Sequence, residues 1–244
     1  MFVFGSGALI GTPSGGSPIN FGLVQEVSLD ISVTTKTLFG QYQYPVAVGA
    51  GTRKLTGKAK LARISGKALG SLFFGAAPSA GETVTQFAES ASVPASTPYT
   101  YQTTNHTTWV ADMGVVYAAT GLPLTQVASG PTQGQYSVAS GIYTFAAADA
   151  SAAVLVSYQY TVAASGQTLT VSNSLIGPTI SFSANLFASD PTTNKQFSVF
   201  LYSCVASKLS FGTKLEDFTI PELDFDCFAN AAGQVLQLNF GDAS

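Results

Sequence analysis

Charged side chains are scarce in this sequence. Asp, Glu, Lys and Arg together make up 9% of its 244 residues, whereas an ordinary globular chain has about 25%. Disordered chains combine few apolar residues with high charge, but 46% of these residues are hydrophobic. The formal net charge of −3 also differs from the basic charge expected of a nucleic-acid-binding protein. The composition therefore indicates a folded protein and argues against specific recognition of nucleic acid.

Residues that commonly carry catalysis or bind metals are equally rare. The single histidine, His106, has no cysteine or second histidine beside it to complete a metal site, so we interpret it as an exposed loop residue. Asp224 and Asp226 lie on one strand face about 7 Å apart, a separation that could serve glycoside hydrolysis. We favour a charged, solvent-facing strand, because no pocket of aromatic residues surrounds them in the sequence. We predict no enzyme activity and no cofactor.

Long apolar runs are absent as well. No stretch of about 18 uninterrupted apolar residues occurs, so the sequence predicts no transmembrane helix. The first four residues are apolar but lack a basic flank, and glycines follow at once, which argues against a secretory signal. Cys204 and Cys227 are interpreted as buried free thiols, because a disulfide would require an oxidising compartment of which the sequence gives no other sign.

Charge is distributed unevenly along the chain. Residues 1–81 hold seven basic and two acidic side chains, residues 82–173 hold four acidic and no basic ones, and residues 174–244 hold three basic and seven acidic ones. Parts that differ this much predict a core built from residues 1–81 and 174–244, interrupted by an insert at 82–173. The insert has short apolar runs between Gly- and Pro-containing turns, which is typical of a small all-β module.

Alternation of polar and apolar residues predicts most of the core strands. In residues 222–227, three carboxylates alternate with three apolar side chains, and Leu236, Leu238 and Phe240 are predicted to face inward from the last strand. The strands predicted in the core are residues 23–33, 54–64, 179–187, 197–205, 221–228 and 235–240. The predicted fold class is therefore all-β, a β-sandwich or barrel with one short helix.

The sequence also predicts one helix and one long loop in the first part of the core. Residues 65–74 have helical spacing of apolar side chains, and Gly75 is suited to end the helix. Residues 36–53 are rich in glycine and contain Pro45, which predicts a long loop between the first two strands.

Several segments, taken in order, resemble one family. They are residues 21–30, 36–46, 55–60 (LTGKAK), 64–75, 208–218 and 224–233 (beginning DFDCFAN), with 134–136 and 141–145 in the insert. In these segments the sequence resembles the major tail tube protein of long, non-contractile-tailed bacteriophages, the siphophage tail tube family. The resemblance covers most of the chain as an ordered pattern.

This resemblance implies a structural virion protein. Tail tube subunits form six-fold rings that stack into a tube, and strands of each subunit line an inner β-barrel through which DNA passes without specific binding. The implied partners are further copies of the chain, the tape measure protein inside the tube, and the tail terminator and tail tip proteins. The implied location is the tail of the virion, assembled in the host bacterial cytoplasm, with no membrane contact and no cofactor.

Carboxylates on the polar strand faces are predicted to line the channel, because negative charge would keep DNA phosphates from adhering in transit. They are Glu26, Asp30, Glu222, Asp224 and Asp226. Lys54, Lys58 and Lys60 lie on the same strands, and they either pair with these acids across strands or face another ring. The acids outnumber these lysines, so the predicted channel wall is net negative.

The loop at residues 36–53 is predicted to contact a neighbouring subunit or the next ring. The residues proposed for this contact are Tyr42, Tyr44, Pro45 and Arg53. The insert is predicted to lie on the tube exterior. Two other roles stay open. The chain could be another virion component, such as a head decoration or tail terminator protein, which would not polymerise. It could also be a surface β-sandwich module of the adhesin type, which would require export.

Overall fold

The computed structural model describes residues 5, 7–63, 65–173, 175–177, 179–213 and 215–241. The chain divides into two compact units: a core unit, Met1–Pro78 with Leu169–Ser244, and an insert unit, Ser79–Thr168. The domain boundaries predicted from charge, after residues 81 and 173, lie a few residues beyond these divisions.

Strands dominate both units, so the predicted all-β class with one short helix is confirmed. In chain order, the strands are β1 Ala8–Pro13, β2 Ile19–Asn20, β3 Val24–Phe39, β4 Pro45–Leu61, β5 Ser79–Ser92, β6 Thr100–Gln102, β7 Trp109–Tyr117, β8 Thr125–Gln126, β9 Gln135–Ala139, β10 Ile142–Phe145, β11 Ala153–Thr168, β12 Phe182–Ser189, β13 Gln196–Ser210, β14 Glu222–Phe228 and β15 Leu236–Phe240. The helix α1, Gly66–Leu69, continues as a π-helix over Gly70–Phe74, and two 3₁₀ turns lie at His106–Thr108 and Ala147–Asp149. Among the described residues, no helix is long and apolar enough to cross a membrane.

The core unit is built on one antiparallel sheet. Its strand order is β2-β1-β12-β13-β14-β4-β3, and β15 pairs with the part of β13 that β14 leaves free. The apolar strand faces enclose one cluster of buried side chains. In β14 the predicted alternation is confirmed, because Leu223 and Phe225 are fully buried in this cluster while Glu222, Asp224 and Asp226, which alternate with them, are only partly covered.

The prediction of a long loop at residues 36–53 is wrong. β3 and β4 stay paired as far as Phe39 and Pro45, so this segment is the far half of a two-stranded hairpin that closes through a short turn at 40–44. The glycines that indicated a loop lie inside the ladder. Gly51 is needed there for close approach of the strands, since a Cβ at this position would lie 2.6 Å from the Thr34 hydroxyl oxygen.

The predicted helix after β4 is confirmed, and its ends follow local signals. The Ser65 side chain caps the first turn by accepting a hydrogen bond from the backbone N–H of Ala68 at 3.4 Å. Gly75 ends the segment in the left-handed conformation, with φ of 63°, which glycine adopts without steric cost. Leu72 is fully buried and packs the helical segment against the core cluster.

The last strand departs from its prediction in one respect. β15 forms where it was expected, but Leu238 and Phe240, which were predicted to face inward, are 44% and 65% exposed. β15 pairs only with β13 among the described strands, so its outer half has no second neighbour to cover its apolar side chains. Leu236, nearer the core, is half-buried.

The insert unit contains two small sheets around a core of its own. β11 lies between β5 and β7 in a three-stranded sheet, and the order β6-β10-β9-β8 forms a four-stranded sheet. Its largest fully buried side chains are Tyr143 and Tyr158, and the only tryptophan, Trp109, packs against the same cluster. β5 is not predicted from the sequence, because Ser, Thr, Glu and Gln fill most of its positions and weaken the alternation.

Candidate functional site

Four adjacent strands of the core sheet carry charged side chains on the same face. Directly opposite residues of neighbouring strands point to the same side of a sheet, and the register places Lys60 between Glu26 and Glu222, and Lys58 opposite Asp224. We call this set the charged face. It comprises Glu26 and Asp30 of β3, Lys54, Lys58 and Lys60 of β4, Lys208 of β13, and Glu222, Asp224 and Asp226 of β14.

Three ion pairs cross the charged face. The Nζ atoms of Lys54 and Lys58 lie 3.0 Å from carboxylate oxygens of Asp226 and Glu222 respectively. Lys60 pairs with Glu26 in the other direction, and its ammonium group donates a hydrogen bond to the Glu26 carboxylate. These side chains are partly exposed, so each pair contributes little to stability on its own. The register of the strands places acids and bases in alternating order across this face.

Proton affinities on the charged face reflect this order. The hydrogen bond from Lys58 and its positive charge lower the pKa of Glu222. The same hydrogen bond and the charge of Glu222 raise the pKa of Lys58. Both residues therefore hold their charged forms over a wider pH range than free side chains would.

The charged face is closer to neutral than the sequence predicts. All five predicted carboxylates lie on it, but Lys208, which the sequence analysis leaves out, lies directly opposite Asp224. Five acids then face four lysines. Strict alternation would turn Lys208 the other way, but an irregularity in pairing between Ala206 and Lys208 inserts one residue into β13 and shifts its later side chains to the opposite face.

The far half of the β3–β4 hairpin is the second surface of interest. We call residues 33–53 the hairpin ribbon. Among the described residues, β14 pairs with β4 only from Leu55 to Lys60, so the two strands of the ribbon have only each other as partners. Every side chain in the ribbon is exposed, on both faces. A strand pair inside a globular core would be covered on at least one face.

The four residues proposed for an intersubunit contact fall in two places on the ribbon. Tyr42 and Tyr44 lie in the closing turn, and Pro45 begins β4 directly after it. Arg53 lies opposite Val33 near the base of the ribbon, eight residues from Pro45, or roughly 26 Å at the rise of an extended strand. The structure therefore brings the first three together at the tip and separates Arg53 from them.

Exposed apolar side chains follow the ribbon along its length, a feature that the sequence analysis misses. Those exposed by more than half are Leu38, Phe39, Tyr42, Tyr44, Val46 and Val48. The sequence does contain a signal for this surface, because Val, Leu and Phe recur on both sides of the turn. The other residues of the segment are mostly small or polar, so these apolar side chains cannot form a core of their own. Large apolar patches of this kind on soluble chains mark contact surfaces.

An apolar groove opens at one end of the core cluster. It has a volume of about 310 Å³, and strands β3, β4, β12, β13 and β15 all contribute to its walls. Every residue that lines it has an apolar side chain, and the lining includes Val27, Leu29, Ile31, Leu186, Leu236 and Leu238. Ile31 is 59% exposed at its rim, so the described residues leave the core cluster incompletely covered.

Acidic side chains of the insert unit are arranged differently, because tyrosines surround them. The hydroxyl groups of Tyr136 and Tyr143 both donate hydrogen bonds to the Asp112 carboxylate. Tyr117 donates to Asp149 at 2.7 Å, and Asp149 is buried. Burial, followed by hydrogen bonding to these acids, raises the pKa of all three tyrosines.

Glu89 is the centre of a second tyrosine group. Its carboxylate accepts hydrogen bonds from the Tyr101 and Tyr158 hydroxyls and from the backbone and side chain of Thr104. Burial alone raises the pKa of Glu89, but these hydrogen bonds outweigh it and lower the pKa below its ordinary value. Glu89, Asp112 and Asp149 therefore accept hydrogen bonds from tyrosines within the insert unit, and Asp149 is buried there.

The single histidine and the possible metal ligands are candidates for catalysis or metal binding in the part of the chain that the structure describes. His106 is half-buried in a 3₁₀ turn, not in an exposed loop as predicted, and its Nδ1 lies 3.1 Å from the backbone oxygen of Thr103. No group of three or more His, Cys, Asp or Glu side chains there could hold a metal ion. No protein-family model matches the chain, and no curated protein matches it.

Proposed function

We propose that this chain is a structural subunit that assembles into six-membered rings, and that the rings stack into the tail tube of a bacteriophage. The observation that carries the proposal is the hairpin ribbon. Its strands extend past the rest of the sheet, and its Val, Leu, Phe and Tyr side chains are exposed on both faces. A two-stranded ribbon is marginally stable alone in water, so these side chains need a partner outside the chain.

A second copy of the chain is the partner that the molecule fits best. The edges of the ribbon offer unpaired backbone groups, which readily pair with strands of another molecule. The apolar groove at the open end of the core is a further surface that a neighbouring subunit can cover. With only 9% charged residues, an isolated monomer has little protection against association. Contacts within a ring and between stacked rings would bury these surfaces.

The charged face is proposed to line the inner channel. Strong positive charge would bind DNA phosphates and slow their passage, but here the four lysines are offset by five carboxylates. Three of the lysines lie in ion pairs with those acids. The channel wall would then be weakly negative, less so than the sequence alone predicts, and DNA would pass without specific binding.

Other parts of the proposal follow from the resemblance to tail tube proteins. The insert unit would lie on the outside of the tube. The tape measure protein would occupy the channel during assembly, and the tail terminator and tail tip proteins would close the two ends. Assembly would take place in the host bacterial cytoplasm, and the product would be part of the virion. This role is structural and involves no enzyme activity or cofactor.

Electron microscopy of the purified chain over a range of concentrations tests the proposal. The expected result is rings with six-fold symmetry at low concentration and hollow tubes of stacked rings at high concentration. A chain that stays monomeric at high concentration would overturn it. Single rings that never stack would instead favour the tail terminator or head decoration role.

A further inference from the structure

The two cysteines of the chain lie face to face across neighbouring strands. Cys204 of β13 is the direct register partner of Cys227 of β14, and their Sγ atoms are 3.4 Å apart. Both thiols are free, with Cys204 fully buried and Cys227 half-buried. The prediction of free thiols is confirmed, but Cys227 is less buried than predicted, and the contact between the two sulfurs was not predicted.

The backbone at this pair suits a disulfide bond. Directly opposite residues of antiparallel strands have Cα atoms about 4.5 or 5.5 Å apart, depending on their hydrogen bonding. Both distances fall within the range of about 4.4–6.8 Å that disulfides span. The sulfur atoms would need to approach by little more than 1 Å, from 3.4 Å to about 2.0 Å. An approach of this size is within reach of side-chain rotation about the Cα–Cβ bonds.

We propose that Cys204 and Cys227 form a dithiol site that small-molecule disulfides, such as oxidised glutathione, convert to an intramolecular disulfide. The Cys227 thiolate attacks one sulfur of the reagent, forms a mixed disulfide and releases one reagent thiol. Cys204 then loses its proton to solvent and attacks the Cys227 sulfur, which expels the second reagent thiol. Overall, the protein gives up two electrons and two protons, and one molecule of oxidised reagent becomes two thiols.

The order of attack follows from the surroundings of the two sulfurs. Cys227 is the more accessible one, and a hydrogen bond from the Cys204 thiol to the Cys227 thiolate lowers the pKa of Cys227. The same hydrogen bond, followed by burial, raises the pKa of Cys204. Cys204 is therefore a poor first nucleophile, but it lies in contact with the mixed disulfide once that has formed. Proximity then favours ring closure over reaction with a second reagent molecule.

Closing the site would fix β14 to β13. β14 bears three carboxylates of the charged face and joins β13 to β4 in the sheet. The bond would also reduce the conformational freedom of the unfolded chain, because it would close a loop between two cysteines that are 23 residues apart in sequence. Cellular reductants keep such pairs open, so closure is expected in oxidising surroundings. This inference does not depend on the proposed assembly.

Intact-mass spectrometry of the native, reduced protein after incubation with oxidised glutathione tests the site. The expected product has lost two hydrogen atoms and carries no glutathione, and its peptide map links Cys204 to Cys227. Its thermal midpoint is expected to rise by about 5–10 °C, from the usual stabilisation by disulfides. Protein that keeps both thiols, or that retains glutathione on Cys227, would overturn the proposal.

Two single substitutions distinguish a paired site from two independent thiols. Cys204→Ala is expected to accumulate the mixed disulfide at Cys227, at least about tenfold above the wild-type level, because the resolving thiol is gone. Cys227→Ala is expected to react much more slowly, because Cys204 is buried. Equal adduct formation in the wild type and in Cys204→Ala would contradict the inference. The wild-type measurement stands even if either variant folds poorly.

Discussion

The ring of Phe225 lies directly over Gly57, its register partner on the neighbouring strand. The approach is so close that a Cβ at position 57 would overlap three atoms of the ring. Phe225 is fully buried in the core cluster, so moving its ring away would disturb the packing of its neighbours. The absence of a side chain at position 57 is therefore a packing requirement of the core, not a matter of backbone conformation.

Gly57→Ala is accordingly expected to destabilise the core unit by about 1–3 kcal/mol, the usual cost of overpacking. Gly49→Ala is the matched control on the same strand. The nearest atom to a Cβ at position 49 is 4.0 Å away, so its effect should stay within about 1 kcal/mol. Calorimetry of the two variants checks this. Equal destabilisation by both would mean that the Phe225 ring does not constrain position 57.

Some elements of the fold could be predicted because their signals are local. The alternation in β14 fixes which side chains enter the core, and Ser65 and Gly75 mark the two ends of the helical segment. The carboxylates of the charged face were found for the same reason, since period-two alternation assigns a face to each residue without knowledge of its neighbours.

Other elements depended on partners far along the chain. The glycines of the hairpin ribbon predict a loop. The role of Gly51 follows only from its close approach to Thr34 on the opposite strand, which the sequence does not show. Lys208 was not predicted to lie on the charged face, because an extra residue in β13 reverses the alternation there. The local sequence gives no sign of this extra residue. Cys204 and Cys227 could be paired only through the register of β13 and β14.

The contact between Lys58 and Glu222 can be measured in solution. Lys58→Met removes the hydrogen bond and charge that lower the pKa of Glu222, so that pKa is expected to rise towards its ordinary value. NMR titration of the Glu222 carboxyl resonance in the monomeric chain gives the result directly. Lys54→Met is the control, because Lys54 pairs with Asp226 and is not among the groups that shift Glu222. A rise of the Glu222 pKa in both variants would mean that the overall positive charge of the lysines, not the contact with Lys58, lowers this pKa.

Substitutions at the tip of the hairpin ribbon test its part in assembly. Tyr42→Ser with Tyr44→Ser removes two aromatic side chains that are 69% and 81% exposed in the monomer. Their loss should change monomer stability by no more than about 0.5 kcal/mol. If they are buried between subunits, the critical concentration for tube formation should rise about tenfold or more, which corresponds to about 1.4 kcal/mol. Sedimentation and electron microscopy measure that concentration.

Leu122→Ser provides the matched control for the tip. Leu122 is 62% exposed and lies in the insert unit, which is proposed to face outward. The critical concentration of this variant should equal that of the wild type. An equal loss of assembly in both proteins would indicate a nonspecific effect of surface hydrophobicity, and unchanged assembly of the tip variant would remove the ribbon tip from the contact.

The tyrosine groups of the insert unit give its stability a defined dependence on pH. The pKa of Glu89 is lowered in the folded state, so its contribution is present above the ordinary value of about 4.3 and is lost as pH falls through the lower, folded value. The pKa values of Tyr101, Tyr136 and Tyr143 are raised. Their contribution is complete below about pH 10 and is lost as pH rises through the folded values.

The fluorescence of Trp109, the only tryptophan, reports on this unit alone. Urea unfolding followed in this way should give a stability plateau between about pH 5 and pH 9, with losses on both sides.

Glu89→Gln should lower the plateau by about 1–3 kcal/mol, because an amide cannot accept all of the hydrogen bonds that the carboxylate accepts. It should also flatten the acid limb and reduce the alkaline limb only by the part that Tyr101 contributes, because Glu89 helps to raise the pKa of Tyr101 but not those of Tyr136 and Tyr143. Glu82→Gln is the control, since Glu82 receives one long hydrogen bond, 3.4 Å from the Ser165 hydroxyl, and should leave the plateau nearly unchanged. An acid limb that persists in Glu89→Gln would assign the acid sensitivity to the other carboxylates of the unit.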